Sequence, residues 1–455
     1  MGYTWEMLPS VFFVPASTTK PPRIAVLADS DTRWKWGALT AGRIAPGPAV
    51  ESGAGDGPQA ALVLDGFLLR GRATPTARQL AEVGVRADSL REVTAVEFLR
   101  AMGEEEYDMV VLALVGGGVQ AVLHGLKRVW EDREKRPVVI TGYVGVVYEK
   151  LADGLLLRHG ADLVLANSRQ DAERFRAVYE GVGADASAVT EVALPFLGGA
   201  PYTGEHDPYT VVFAAQPSVP ENRRDRTYLL ERLVRHARLH PERQVLLKLR
   251  SRPGEHTTHI EELPYQKLAE KLAAPANFQL VYGHMGEVLD RTDLLVTVSS
   301  TAALESLHRR IPTAVLTDLG VREQLGNHHF VGSGCLASWD QLDAGHRPVP
   351  DEEWVSRQGV ATDGAFDAAR ERIAKLLALP LPPLTPYYTP ATAPGYLPGI
   401  LARHHLAPDG SPLPGAPAHD RAPGPVRQLV RRAARGAYRH GVQRVAPVIR
   451  RMGEL

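Results

Sequence analysis

Three consecutive hydroxyls, Ser299, Ser300 and Thr301, are the residues whose types and spacing offer chemistry most directly. They follow Leu294–Val298, a short apolar, β-branched run of the kind that forms a buried strand. They precede Ala302, Ala303, Leu304, Glu305, Ser306 and Leu307, which read as a helix. Serine or threonine at that junction can cap the free N–H groups of the first turn. Those groups, at the positive end of the helix dipole, also suit a phosphate. An ordinary capped helix would show the same pattern. A second polar stretch, Asp29-Ser30-Asp31-Thr32-Arg33-Trp34-Lys35-Trp36-Gly37, follows the strand-like Arg23–Ala28. It falls beyond a carboxyl end, where α/β proteins place ligands. Trp34 and Trp36 there suit stacking on a sugar as well as core packing. Gly116-Gly117-Gly118 could let a donor or acceptor approach the backbone, but has neither dinucleotide-fold spacing nor a Walker lysine, which argues against NAD and ATP. His328-His329 lacks a spaced carboxylate, so no metal site and no cofactor are expected.

The elements that must hold these residues alternate between strand and helix. Strands are expected at Arg23–Ala28, Ala60–Leu64 (ending at Asp65-Gly66), Ser89–Val93, Tyr107–Leu114, Pro137–Thr141 and Ala161–Ala166. Helical patterns fall between them, at Thr76–Val83, Ala95–Met102, from the triple glycine to Trp130, and at Arg169–Glu180. That alternation argues for a doubly wound parallel sheet. A Gly- and Pro-rich break at Leu197–Pro208 marks a domain boundary. The alternation then restarts with strands at Tyr209–Ala214, Gln244–Leu249, Phe278–Tyr282, Leu294–Val298 and Thr313–Leu316. The expected organisation is an N-terminal extension (1–20), a Rossmann-like domain (21–200) and a second one (208–379). A Pro/Gly-rich linker without a packed core (380–425) and a basic tail helix (426–455) follow.

Composition sets the class. A chain of 455 residues suits about two to three domains. Lysine plus arginine equals aspartate plus glutamate at 52 each, so no global charge draws it to nucleic acid. The single Cys335 rules out an internal disulfide framework and fits a reducing, cytoplasmic setting. The N-terminus shows no secretory leader, and no stretch approaches the roughly 20 apolar residues of a membrane helix. The arginine-rich tail can form a basic amphipathic helix able to lie on an anionic membrane face, although Gly436, Gly441 and Pro447 weaken it.

Two Rossmann-like halves with a strand–Ser299-Ser300-Thr301–helix element in the second resemble the GT-B fold of glycosyltransferases. Within that fold the chain resembles bacterial sialyltransferases, polysialyltransferases and capsule Kdo-transferases, which use CMP-activated donors. Their Ser-Ser/Thr motif holds the donor phosphate, and the likeness extends through Glu305 and Ile311-Pro312-Thr313-Ala314-Val315. Residues of about 20–380 also resemble an uncharacterised family of bacterial glycosyltransferases. Gly142-Tyr143-Val144-Gly145-Val146-Val147-Tyr148-Glu149-Lys150 and Gly332-Ser333-Gly334-Cys335-Leu336 carry that likeness.

The resemblance implies roles residue by residue, with two departures. Where those relatives have a His-Pro motif, this chain reads Lys248-Leu249-Arg250-Ser251-Arg252-Pro253-Gly254-Glu255-His256. Lys248, Arg250 and Arg252 can offset phosphate charge, and arginine does so bidentately. Arginine does not readily release a proton, so a proton-donor role either moves to His256 or is lost. A solvated basic loop is the alternative for this cluster. The relatives' acid-acid-Gly base motif is matched only in its second acid, at Asp153-Gly154; Asp31 and, after them, Asp65 are the other candidates for the base. The implied activity is sugar transfer from a nucleotide-activated donor, a CMP-sugar favoured, to a glycan or other hydroxyl acceptor in cell-surface polysaccharide or glycoconjugate synthesis. Glu305 would hold the donor ribose. Two other readings are a nucleotide-sugar 2-epimerase and an inactive binding or scaffold protein.

Overall fold

The structure, a computed structural model, describes residues 20–45, 49–50, 59–60, 62–71, 73–146, 151–252, 255, 263–360 and 364–415. His256, the end of the expected linker (416–425), the tail (426–455) and nearly all of the N-terminal extension lie outside these residues.

The first half contains β1 (Arg23–Ala28), β2 (Ala49–Val50), β3 (Gln59–Ala60), β4 (Val63–Leu69), β5 (Ser89–Val93), β6 (Met109–Ala113), β7 (Val138–Gly142), β8 (Leu163–Ala166) and β9 (Val189–Glu191). Seven of them form one parallel sheet in the order β5-β4-β1-β6-β7-β8-β9, and β2–β3 is a separate antiparallel ribbon. Its helices are α1 (Asp31–Ile44), α2 (Ala77–Val83), α3 (Ala95–Glu104), α4 (Gly116–Val129), α5 (Leu151–Leu156) and α6 (Arg169–Gly181). Near-continuous runs such as Met109-Val110-Val111-Leu112-Ala113, buried at every position, are what a parallel strand covered on both faces requires.

The second half carries β10 (Thr210–Ala214), β11 (Gln244–Lys248), β12 (Phe278–Val281), β13 (Leu294–Thr297), β14 (Thr313–Leu316) and β15 (Leu336–Ala337). They form a six-stranded parallel sheet in the order β12-β11-β10-β13-β14-β15. Here the helices are α7 (Arg223–Leu239), α8 (Tyr265–Ala269), α9 (Met285–Leu289), α10 (Ala302–His308), α11 (Trp339–Asp343) and α12 (Glu352–Arg357). After these come α13 (Asp367–Leu377) and α14 (Leu397–Arg403).

Each sheet reverses direction once. The chain steps outward from β1 through β4 to β5 and returns to β6 on the other side of β1; it repeats this around β10, with β13 as the returning strand. Such switch points leave a crevice beyond the strand ends. In the second sheet Ala214 pairs with both Lys248 and Thr297, so the carboxyl ends of β10, β11 and β13 finish level.

Several expectations change here. The strand placed at Ala60–Leu64 is β4, and it runs through Asp65-Gly66 instead of turning there. Asp65 is buried, ion-paired to Arg23 at 2.7 Å and bonded to the Ser89 hydroxyl, which makes it a structural acid. Gly66 is needed because a Cβ would meet the Trp34 ring at 2.7 Å. Trp34 and Trp36 are fully buried in the core between sheet and helices, so neither is offered to a sugar.

The end of the second domain and the linker are also corrected. α13 does not stay with the second sheet; it packs on α1, β7 and β9. Arg370 donates to the Arg43 carbonyl at 2.8 Å. From 380 to 415 the chain is not a free linker, because Leu384, Leu397, Leu401 and Leu406 bury themselves in the first domain's core. The Tyr388 carbonyl meets Gln120 and His124, and Arg136 donates to the Pro382 carbonyl at 2.7 Å. A Pro-rich segment needs only a few apolar anchors to dock, since proline has little chain entropy to lose. The two chain crossings between domains both pass the end of α10: Arg309 Nε donates to the Gly198 carbonyl at 2.8 Å, and His308 Nδ1 lies 2.5 Å from the Val360 carbonyl.

Candidate functional site

The two switch points open on a cleft of about 1170 Å³ between the domains. The second domain lines it with Gln216–Asn222, Lys248–Arg250, Gly283–Met285, Ser299–Ala302 and Glu305. The first contributes Asp31–Arg33, Lys35, Gln79, Glu82, Tyr143–Val146 and Phe196. The walls come close at Gly145, where an added Cβ would stand 3.0 Å from Thr301 Oγ1. A side chain at 145 would crowd the hydroxyl; glycine leaves it room.

The hydroxyl turn is built differently from what its sequence suggests. Ser299 is fully buried: its hydroxyl donates to the Leu325 carbonyl at 2.5 Å, and its N–H donates to Gln216 Oε1 at 3.1 Å. Its side chain is therefore engaged in the frame of the turn. The first-turn amides of α10 are also occupied, Ala302 N–H by Ser300 Oγ at 3.3 Å, Ala303 N–H by the Ser300 carbonyl and Leu304 N–H by the Thr301 carbonyl. Facing the cleft are the Ser300 and Thr301 hydroxyls, both half-buried on its wall. Those two, with nearby cations, form a grip suited to an anion.

Lys248 supplies one such cation. It ends β11, is buried, and donates to the Leu249 carbonyl at 2.9 Å. Burial pulls its ammonium down to about 8, with Glu82 and Glu305 opposing that pull and Arg250 and Arg78 adding to it. Arg250 lies two residues on and reaches across the cleft to Asp31, Nη2 to Oδ1 at 2.5 Å. A neighbouring tie runs from Arg78 on α2 to Glu255. Glu305 also lines the cleft, and no hydrogen-bond or ion-pair partner is found for its carboxylate among the described residues. Burial pushes its pKa up, against Lys35, Arg309 and Lys248. An uncompensated carboxyl beside a hydroxyl grip is suited to accepting or sharing a hydrogen bond with a ligand's hydroxyls.

Two sequence candidates fall outside the cleft wall. Arg252 is exposed and stacks 5.4 Å from the Tyr282 ring centroid. Asp153 opens α5 on the outer face, where the Tyr388 and Tyr396 hydroxyls donate to it at 3.3 and 3.2 Å. Its Gly154 neighbour is a packing glycine, since a Cβ there would stand 2.0 Å from Tyr143 Oη. Asp31 is the carboxylate of the three that faces the cleft.

Residues the sequence did not assign include Gln216, Lys35 and Tyr143. Gln216 had a signal, because it follows β10 at the same topological position that the Asp29–Asp31 loop occupies after β1. A further set overlooked by sequence is His236, His240 and Asp343, which among the described residues could hold a metal ion. Asp343 already accepts from His236 Nδ1 at 2.7 Å and Arg232 at 3.1 Å, and Arg243 faces the other His236 nitrogen at 3.4 Å. Two guanidiniums on the set oppose a cation, so the cluster acts as a brace between α7 and α11.

Two parallel α/β domains whose switch points face one cleft define the GT-B architecture, and this chain has it. The family described as "Putative glycosyltransferase (DUF6716)" matches residues 24–376, and the chain belongs to it. No curated protein matches. Among solved structures, the chain is similar to S. aureus MnaA with UDP at 12% identity, with 78% of this chain and 95% of that one covered and a TM-score of 0.48. It is similar to the glycotransferase of kitacinnamycin at 14% identity, covering 79% and 95%, with a TM-score of 0.39. For the lipopolysaccharide outer core galactosyltransferase WaaB the values are 11%, 78%, 95% and 0.37. At these scores the architecture rests on the chain's own two sheets.

Among the described residues no helix is long and apolar enough to cross a membrane.

Proposed function

We propose that the cleft transfers a sugar from a nucleotide-activated donor to a hydroxyl acceptor. One observation carries this: Lys248, Arg250, Ser300 and Thr301 of the second domain converge on the same cleft as Asp31 of the first. In this reading the second domain holds the donor. Lys248 and Arg250 offset the charge that grows on the leaving phosphate, and the Ser300 and Thr301 hydroxyls donate to its oxygens. Glu305 takes the donor ribose. The first domain presents the acceptor, whose hydroxyl loses its proton to Asp31 as its oxygen bonds to the sugar. Asp31 can act only once Arg250 turns from it to the donor.

A CMP-sugar is the donor favoured by the likeness of Ser299-Ser300-Thr301 to CMP-sugar-using relatives. The product would be a cell-surface polysaccharide or glycoconjugate, made on the cytoplasmic side with the tail 426–455 resting on the membrane. Thermal shift with CMP-, UDP- and GDP-sugars tests the reading. One class is expected to raise the melting temperature in the native protein and not in Ser300→Ala. If none of the three shifts it, the donor assignment is wrong, and an inactive scaffold becomes the better description. Formation of an epimeric nucleotide sugar without acceptor would instead establish an epimerase.

A further inference from the structure

The loop after β10 is held from behind by a buried charge. Arg226, in the first turns of α7, is 1% exposed. Its Nη1 donates to the carbonyls of Gln216, Pro217 and Pro220 at 3.4, 3.1 and 3.2 Å. Its guanidinium lies 4.1 Å over the ring of Tyr265, itself fully buried. Burying a guanidinium costs several kcal/mol before its hydrogen bonds compensate, and a leucine would pack α7 without that cost. What arginine adds is the shape of residues 216–220, which line the cleft. Gln216 then carries that shape across the switch point, its Oε1 accepting the Ser299 N–H at 3.1 Å. Ser299 is pinned from its other side by the Leu325 carbonyl, and the next two residues are the hydroxyls of the grip.

We infer that Arg226 and Gln216 are positioning residues for the phosphate grip. Arg226 shapes the β10 loop, and Gln216 transmits that shape to Ser299, fixing where the Ser300 and Thr301 hydroxyls point. The inference rests on the nucleotide-sugar reading above. It identifies a nucleotide's phosphate as the group whose affinity reports the frame, although neither residue needs to touch it.

The test uses the full chain and the variant Gln216→Met, which keeps the side-chain length and removes the acceptor. Affinities for CMP, UDP and GDP are measured by calorimetry, and amide hydrogen exchange is followed at residues 299–301. Gln216→Met is expected to weaken the nucleotide that binds by about tenfold and to speed exchange at 299–301. Arg226→Lys, which keeps the charge but cannot bridge the carbonyls, is expected to do the same. Added to Ser300→Ala, Gln216→Met should weaken binding by less than the product of the two separate losses, because both act through one turn. A merely structural role would lower the melting temperature and leave affinity and exchange at the turn alone. If the native chain binds nucleotide and Gln216→Met binds it equally well, or if the losses multiply, the inference is overturned while the donor reading survives. If the native chain binds none of the three, the donor reading falls first. Unchanged exchange at 299–301 in Gln216→Met would then remove the frame as well.

Discussion

The two domains bridge the same switch point with different charge. Each buries an arginine over a tyrosine at its strand ends: Arg158 over Tyr143 at 4.0 Å and Arg226 over Tyr265 at 4.1 Å. Arg158 donates to the Gly142, Gly154 and Leu114 carbonyls, as Arg226 does to the β10 loop, and burial pulls its guanidinium below the usual range. The difference lies in what bridges the switch point. In the first domain it is a carboxylate, with Asp29 Oδ2 accepting the Val115 N–H at 3.0 Å and Oδ1 paired to Arg33 at 2.8 Å. In the second it is the neutral amide of Gln216. A neutral bridge adds no negative charge beside Lys248 and Arg250, and the carboxylate ion-paired to Arg250 comes from across the cleft. The same switch-point arrangement therefore yields one mouth suited to an anion and one that supplies its own.

The sharpest way to break this comparison is to remove the cations. Arg250→Met should weaken nucleotide binding by about a hundredfold, the upper range for a charge-assisted hydrogen bond, as read by calorimetry. Lys248 should make the same affinity pH-dependent. Its ammonium is present below about pH 8 and lost above, so affinity falls as pH rises through 8. The stability of the empty protein moves the other way. The folded pKa, about 8, lies below the ordinary 10.5, so the unfolded chain binds more protons between those values and stability rises across that window. Denaturant titrations at pH 7, 8 and 9.5, beside a Lys248→Met control, would show it.

Next in size is the packing on the acceptor side. Gly154→Ala drives a methyl into Tyr143 Oη and is expected to cost about 2 kcal/mol in chemical denaturation. Exchanging the bridges comes third. Gln216→Glu gives the second domain the acidic character of the first and should weaken nucleotide binding by about tenfold, whereas Asp29→Asn should leave that affinity within about twofold. The smallest effect belongs to Asp153→Asn. With both tyrosine bonds retained in altered form, transfer should be unchanged and stability shifted by less than about 0.5 kcal/mol. Loss of activity in that variant would return Asp153 to the catalytic role that its sequence suggested.

How far the site can be read from sequence depends on distance along the chain. Strand ends are local, so Asp31, Lys248 and Ser299–Thr301 could be placed at carboxyl ends from alternation alone. The engagement of the Ser299 hydroxyl is not legible there, because its partner is the Leu325 carbonyl, a loop away. The surroundings of Asp153 are hidden for the same reason, since the tyrosines that bond it stand at 388 and 396. The segment 380–415 has the composition of a linker, and its few leucine anchors become visible only against the α4–α5 surface they cover. Asp65 shows a third kind of error. An Asp-Gly pair is ordinarily a turn, and only pairing with β1 and β5 reveals an uninterrupted strand.

The fastening of α10 has a geometric consequence. His308 and Arg309 fasten the carboxyl end of α10 to the Val360 and Gly198 carbonyls, while its amino end carries the hydroxyl turn. The helix spans about 10 Å between the two. The hydroxyl turn and the fastening to the interdomain segments therefore sit at opposite ends of one short helix packed on β13 and β14.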